Sequence, residues 1–413
     1  MKAKEALLLL VLVSVGFSAF GPSSLMIERD WVIHANNGTN IDFQGALAMN
    51  DTHQQVIPMT LSPGLTAQPN ASGSILVHYN GTMKGDMLLL NATATVDVDY
   101  GTSLAADPPL SGTNLSSTAL TESDAGMVAL AEQLSQQNSS LTTIKNLVNW
   151  VHSAVQYNTS YWGKTVSAED TFRTREGVCV EYTQLLIALS RSLGFDTRYI
   201  SGYVYSDGWQ PHAWADIYVP GYGWLPADAT FGQVGMLDGT HLAIAEGMNQ
   251  ASVYDAALRS NGNASLAVQD HVTEVYLSND SRNVSVSINP DNSTYVVTVD
   301  IINNRPEYVF GSYQFLSDPA YGQQESDVLL LQPKEVLQRQ YLLNQSDFQA
   351  GYTYTVPLYA AFNDAQDEKN LTISNPVPGS QVQPQSCALP AFLVLLPIVL
   401  LPFYGIHNAV GLF

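Results

Sequence analysis

One stretch, REGVCVEYTQLLIALSRSLGFDTRYISGYV from Arg175 to Val204, constrains the fold more than any other. After Cys179, Tyr182, Leu185, Leu186, Leu189 and Leu193 recur at helical spacing, and Gly194 supplies the stop. Strand-like sequence follows at once, over about 197–205, and again at 213–219 and 223–227. Upstream, Ile144, Leu147, Val148, Val151 and Val155 mark one face of another helix. Ser167 and Asp170 give the capping signal of a short helix just before the cysteine. The middle of the chain, 124–250, therefore mixes helix and strand.

The same stretch carries candidate chemistry. The chain has two cysteines, and the second, Cys387, borders an apolar C-terminal run, so Cys179 has no evident disulfide partner. In an oxidising compartment a lone cysteine is more natural as chemistry than as structure. His212 follows 33 residues later in PHAWADIYV, and Asp228 a further 16 on in GWLPADATFG. Cys, His and Asp are the parts of a thiolate nucleophile, its base and a group that orients the base. A sulfur at a helix N-terminus meets free backbone N–H groups and the positive end of the helix dipole, which favours the thiolate. On this reading His212 begins a strand facing that helix end. Asp228, near the end of the next strand, bonds the far imidazole nitrogen and fixes its tautomer. The Cys179 N–H supplies one donor to an oxyanion, and Trp162 and Tyr157 are the candidates for a second. Trp214 is a candidate cleft residue, with Trp209 and Trp224 read as core and cleft walls.

The flanks read as β-structure. In an N-terminal β-rich domain, 27–105, Ile75, Val77 and Tyr79 alternate before an Asn80-Gly81 hairpin signal, and Val96, Val98 and Tyr100 alternate again. Gly101 to Ser123 has the composition of a linker. A β-sandwich is expected over 265–374, where Val284, Val286 and Ile288 alternate, as do Tyr295, Val297, Val299 and Ile301, around an NPDNS hairpin loop. Asp291 in that loop reads as a turn residue rather than a calcium ligand. His152, His241 and His271 read as surface or core histidines, and no Cys/His spacing suggests zinc. Glu181 and Tyr182 read as helix surface and core, with a place in the site as the alternative.

A chain of 413 residues with 46% hydrophobic content has room for two to four domains with real cores. Only 16 Lys+Arg and a formal charge of -21 argue against nucleic acid and against a polybasic membrane contact. Lys2 and Lys4 precede an apolar run from Ala6 to Phe20, the layout of a secretory signal over 1–21, with an uncleaved anchor as the alternative. Ala388 to Phe413 contains no charged residue and is long enough to span a bilayer. A transmembrane anchor is expected over 388–410, behind a Pro/Gln/Ser stalk at 375–387; a buried core helix and a processed tail are the alternatives. Fourteen N-x-[ST] sequons lie between the two apolar ends. They suggest an exported, glycosylated ectodomain held at the cell surface through its C-terminus.

At Gly177-Val178-Cys179, the helix to Arg191-Ser-Leu-Gly194-Phe, the strand RYISGYV, HAW at 212–214 and GWLPADAT at 223–230, the chain resembles the transglutaminase-like superfamily. That superfamily is a branch of the papain-like cysteine enzymes. The resemblance covers about 130–245. It implies an α+β core in which a Cys-bearing helix packs on an antiparallel sheet, with β-sandwich domains flanking it. It also implies Cys179, His212 and Asp228 as the catalytic set. Members include cross-linking enzymes, peptidases, amidases and inactive binding modules. The expectation is a thiol hydrolase acting through a Cys179 thioester on surface proteins or peptides. A protein-glutamine transglutaminase and a non-catalytic adhesion protein are the alternatives. The mechanism requires no cofactor, although calcium dependence occurs in some relatives.

Overall fold

The structure, a computed structural model, describes residues 20–70, 73–101, 103–112, 116–279, 284–317 and 324–376, with the backbone of 385–386. Two four-stranded antiparallel sheets make an N-terminal sandwich. One orders Ala264–Leu277, Ser23–Ala35, Met87–Val98 and Gln54–Leu61; the other orders Ala256–Ser260, Asn40–Ala48, Ile75–Thr82 and Thr66–Pro69. Burial alternates along Ser23–Ala35, as a strand with one face on a core requires. Leu25, Ile27 and Trp31 from that face meet Ile41, Phe43 and Val77 of the opposite sheet.

Two features depart from the sequence reading. The strand Ala264–Leu277 falls in the stretch expected to begin the C-terminal sandwich, yet it runs antiparallel to Ser23–Ala35. Arg29 supplies a reason. Its guanidinium is buried and donates to both carboxylate oxygens of Asp270 and both of Asp255, at 2.7–2.8 Å. A buried cation needs paired anions, and these two lie more than two hundred residues along the chain. The second departure is Asn80-Gly81, which is no turn. The strand continues through it, with Asp42 opposite Asn80 and Ile41 opposite Gly81. Tyr79 lies over Gly81, where a Cβ would stand 2.5 Å from the tyrosine hydroxyl, so glycine here makes room for a ring rather than a bend.

The central unit sets four helices beside a five-stranded antiparallel sheet. The helices are α1 (Ala125–Leu134), α2 (Ser140–Ala154), α3 (Ala168–Thr174) and α4 (Cys179–Ser192). The sheet orders Gln233–Val234, Gly223–Asp228, Trp209–Val219, Thr197–Tyr205 and Leu242–Gly247. Leu185, Leu186 and Leu189 of α4 share one core with Ile144, Leu147 and Val151 of α2 and with Ala213, Ala215 and Ile217 of the sheet. Trp214 alternates to the other face and joins Ile200 and Leu242 in the core of the N-terminal sandwich. Both faces of the sheet are therefore covered. The stretch with linker composition is strapped down: Asp107 accepts from the Leu141 N–H and the Ser139 hydroxyl at the start of α2.

Beyond residue 283, strands Val284–Asp291, Val296–Asn303 and Val336–Leu342 face a second sheet built around Gln324–Leu331, Val309–Ser317, Tyr352–Phe362 and Ala365–Asn375. Val299, Ile301, Phe315 and Ile373 are among its core residues. Asp291 accepts from the Ser293 N–H and the Thr294 hydroxyl, which ties the hairpin loop. This sandwich docks on the central unit through Phe310 and Val328, and Asn149 of α2 donates to Asp327 and the Val328 carbonyl. Among the described residues no helix is long and apolar enough to cross a membrane. The expected anchor at 388–410, most of the stalk at 375–387 and all but the last two residues of the expected signal at 1–21 lie outside the described residues.

Candidate active site

Cys179 is the first residue of α4, and Val178 caps that helix. The Glu181 carboxylate folds back to accept from the Val178 N–H at 2.8 Å, satisfying one donor of the first turn. Glu181 is fully buried; burial raises its carboxyl above the usual range, partly opposed by these backbone N–H bonds. Gly177 is required beside it, since a Cβ there would stand 2.3 Å from the Glu181 Cβ. The cysteine itself is half-buried and forms no disulfide.

Two devices, one of backbone and one of side chain, fix the surroundings of Cys179. Gln156–Tyr157 pairs in parallel with Glu176–Gly177, which sets Tyr157 beside the thiol. Burial raises the Tyr157 hydroxyl, charge on Cys179 adds to the rise, and a hydrogen bond from the Trp162 side chain offsets part of it. The two candidates for the second oxyanion donor thus lie together, Tyr157 half-exposed and Trp162 more so. The second device is Thr183, one turn along α4. Its hydroxyl lies 2.8 Å from the Cys179 carbonyl and 3.0 Å from the Ala213 carbonyl, joining the helix of Cys179 to the strand of His212.

His212 is buried, with Nε2 2.8 Å from Asp228 Oδ2. The Cys179 sulfur acts on the same ring, and with Nε2 committed to Asp228 the nitrogen left for it is Nδ1. Burial opposes a charge on His212, but Asp228 and the Cys179 sulfur outweigh it and push the ring up to about 10. Asp228 is fully buried at the end of its strand. Its Oδ1 accepts from the N–H groups of Thr230, at 2.7 Å, and Phe231, at 3.3 Å. Burial works against its charge, yet His212 and a second histidine hold it well below the usual carboxylate range. Opposite His212 in the sheet is Gly202, where a Cβ would lie 2.0 Å from the Leu242 carbonyl oxygen.

That second histidine is His241. Its Nε2 is 3.1 Å from the same Asp228 Oδ2, and its Nδ1 is 3.2 Å from the Asp238 carbonyl and 3.3 Å from Asp238 Oδ1. The sequence reading of a core histidine describes its burial but misses its partners. A single His in GTHLAIAEG has no periodicity or spacing to Asp228 that would flag it; only the i,i+3 relation to Asp238 is local. Trp214 is 1% exposed and lies in the core beside the site, with its ring centroid 6.1 Å from His212 and 5.2 Å from His241. Trp209 packs on Tyr205 and Trp224 on Tyr218. His152 donates to or accepts from nothing in this cluster; its Nδ1 faces the Ala229 carbonyl.

Residues 128–229 match the family model described as the transglutaminase-like superfamily. The chain carries a transglutaminase-like core. That core spans Cys179, His212 and Asp228 but stops before Asp238 and His241. Curated relatives include uncharacterised proteins of Mycobacterium bovis and Mycobacterium tuberculosis, 26% identical over 125 residues, which are 27% of this chain. The match covers 39% of the length of those relatives. Among solved structures, a cysteine-protease candidate from Cytophaga hutchinsonii is 25% identical, with a TM-score of 0.47, over 63% of this chain and 92% of that one. The transglutaminase of red sea bream aligns over 87% of this chain and 81% of its own at 10% identity and a TM-score of 0.23. Both scores are too low to carry the fold of the whole chain across.

In the transglutaminase-like core the His212 imidazole is shared by the Asp228 carboxylate and the Cys179 sulfur, and Cys179 opens a helix. Such a set can add a thiolate to a carbonyl and return the proton to a leaving group. His212, Asp228 and His241 also offer donor atoms within 4.8 Å of one another, a spacing that a metal ion could use.

Proposed function

We propose that this chain is an exported thiol hydrolase of peptidase or amidase type, acting on proteins or peptides at the cell surface. The observation that carries the chemistry is the line Cys179–His212–Asp228 at the amino end of α4. Cys179 Sγ attacks a carboxamide or peptide carbonyl, and His212 Nδ1 takes the thiol proton. The tetrahedral oxyanion meets the Cys179 N–H, which is free at the first position of the helix, and the Trp162 indole N–H. Collapse breaks the C–N bond, His212 returns its proton to the leaving amine, and a thioester on Cys179 remains. Water, deprotonated by His212, then releases the acid and the thiol. Asp228 keeps the imidazole oriented and stabilises its charged form throughout.

The surface location rests on the charged-then-apolar N-terminus, the uncharged C-terminal run and the sequons. Hydrolysis is favoured over amine transfer because water is the abundant acceptor. The test uses the chain from residue 22 to 380 beside its Cys179→Ala variant. Both are incubated with a labelled glutamine-containing peptide mixture, with and without a primary amine, and read by mass spectrometry. Cleavage or deamidation that depends on Cys179 supports the hydrolase. Incorporation of the amine that depends on Cys179 supports a transglutaminase instead. An unreactive thiol with no difference between the two proteins supports a binding protein.

A further inference from the structure

His241 has an unusual position for a side chain outside the Cys–His–Asp line. Both ring nitrogens face only acceptors: Asp228 Oδ2 on one side, and the carbonyl and carboxylate of Asp238 on the other. A neutral imidazole has one N–H and would set a lone pair against an oxygen. Full burial removes water as a substitute partner. The remaining solution is an imidazolium donating from both nitrogens, and burial, which opposes that charge, is outweighed by Asp238 and Asp228. Asp238 is in turn fixed by Gln233 Nε2, the Thr240 N–H and the Thr240 hydroxyl.

We propose that His241 is a positioning residue of the thiol site: clamped between Asp228 and Asp238, it fixes the carboxylate that holds His212 and balances the buried charge around it. The proposal rests on the reading of Cys179 as a nucleophile. With Cys179 as the nucleophile, its sulfur pairs with the His212 cation, Asp238 pairs with the His241 cation, and Asp228 sits between the two rings. The groups facing His241 are Asp228 and His212 from two strands of the sheet, Asp238 from its own loop, and Tyr100, whose hydroxyl donates to the His241 carbonyl at 3.2 Å. Trp214 and Phe231 complete its surroundings and do not titrate.

Losing His241 alone leaves Asp238 uncompensated and makes the site more negative. That disfavours the thiolate and favours the His212 cation. Losing His241 and Asp238 together removes both charges and restores the balance. A purely structural histidine predicts no such recovery, because a double substitution in a buried network damages packing at least as much as a single one.

The experiment follows alkylation of Cys179 by iodoacetamide from pH 4 to 9 in the wild type, His241→Gln and His241→Gln/Asp238→Asn, with Cys179→Ala as the blank. In His241→Gln the rise in rate is expected about half a pH unit higher, roughly threefold slower alkylation on the rising limb. The double variant is expected to return toward the wild-type profile. An unshifted His241→Gln profile, or a double variant as displaced as the single one, overturns the proposal. If His241→Gln does not fold, histidine ¹⁵N spectra of the wild type decide: two imidazoliums of the eight histidines should persist at pH 8, and a single one overturns the proposal. A wild-type Cys179 that alkylates no faster than glutathione across the range defeats the nucleophile reading itself, which is a distinguishable result.

Discussion

The Thr183 hydroxyl reaches from α4 to the carbonyl of Ala213, 3.0 Å away, and the same hydroxyl lies 2.8 Å from the Cys179 carbonyl. One buried oxygen therefore joins the turn that carries Cys179 to the residue next to His212. Thr183→Val keeps the shape and removes the bond. It should lower stability by about 1 kcal/mol, measured by urea denaturation. It should also slow Cys179 alkylation at neutral pH. Loss of stability with unchanged alkylation would mean that the contact holds the fold but not the site.

His212 is raised from 6.5 to about 10 and His241 from 6.5 to about 9. In both, the native state holds its proton more tightly than the unfolded chain. Their contribution to stability is therefore fully present below pH 6.5 and is lost as pH rises through 9 and 10. Asp228 is shifted the other way, so its contribution is present above the ordinary carboxylate range and is lost only in strong acid. Urea midpoints should fall from pH 7 to pH 10, and His212→Gln should flatten part of that slope. A flat wild-type profile would show that the two imidazoles are neutral.

The Trp162 side chain acts on the Tyr157 hydroxyl beside the thiol. In the proposed mechanism its N–H turns to the oxyanion. Trp162→Phe should then lower kcat by about 10²-fold with little change in KM. Tyr157→Phe keeps the indole N–H and should cost less. Steady-state kinetics on a substrate found by the peptide screen separate the two, and an unchanged kcat in Trp162→Phe removes that residue from the oxyanion site.

Gly202 lies opposite His212, and a Cβ there would come within 2.0 Å of the Leu242 carbonyl and 3.0 Å of the Trp214 ring. Leu242 directly follows His241, so Gly202→Ala should push the His241 segment away from Asp228. A destabilisation of about 1–3 kcal/mol is expected, together with an alkylation profile displaced in the same direction as that of His241→Gln. Calorimetry and the alkylation series check both parts.

Local pattern was enough for the elements that carry the thiol site. Ser167 caps α3, accepting from the Asp170 N–H at 3.1 Å. The helix from Cys179 ends before Gly194, which has φ +87°, the left-handed value that glycine adopts freely. The strands of His212 and Asp228 lie close to where alternation and turn residues put them. The Asn80-Gly81 signal misled because a turn dipeptide is only a local preference, and pairing with Asn40–Ala48 together with the Tyr79 ring overrode it.

What the sequence determined by itself is the order of chemical groups along a helix and two strands, since backbone periodicity and caps act over a few residues. What only the tertiary structure decided is which distant groups share a charge. Arg29 finds Asp255 and Asp270, and His241 finds Asp228, because buried ions must be paired wherever the chain brings a partner. That requirement is satisfied in space and leaves no period in the sequence.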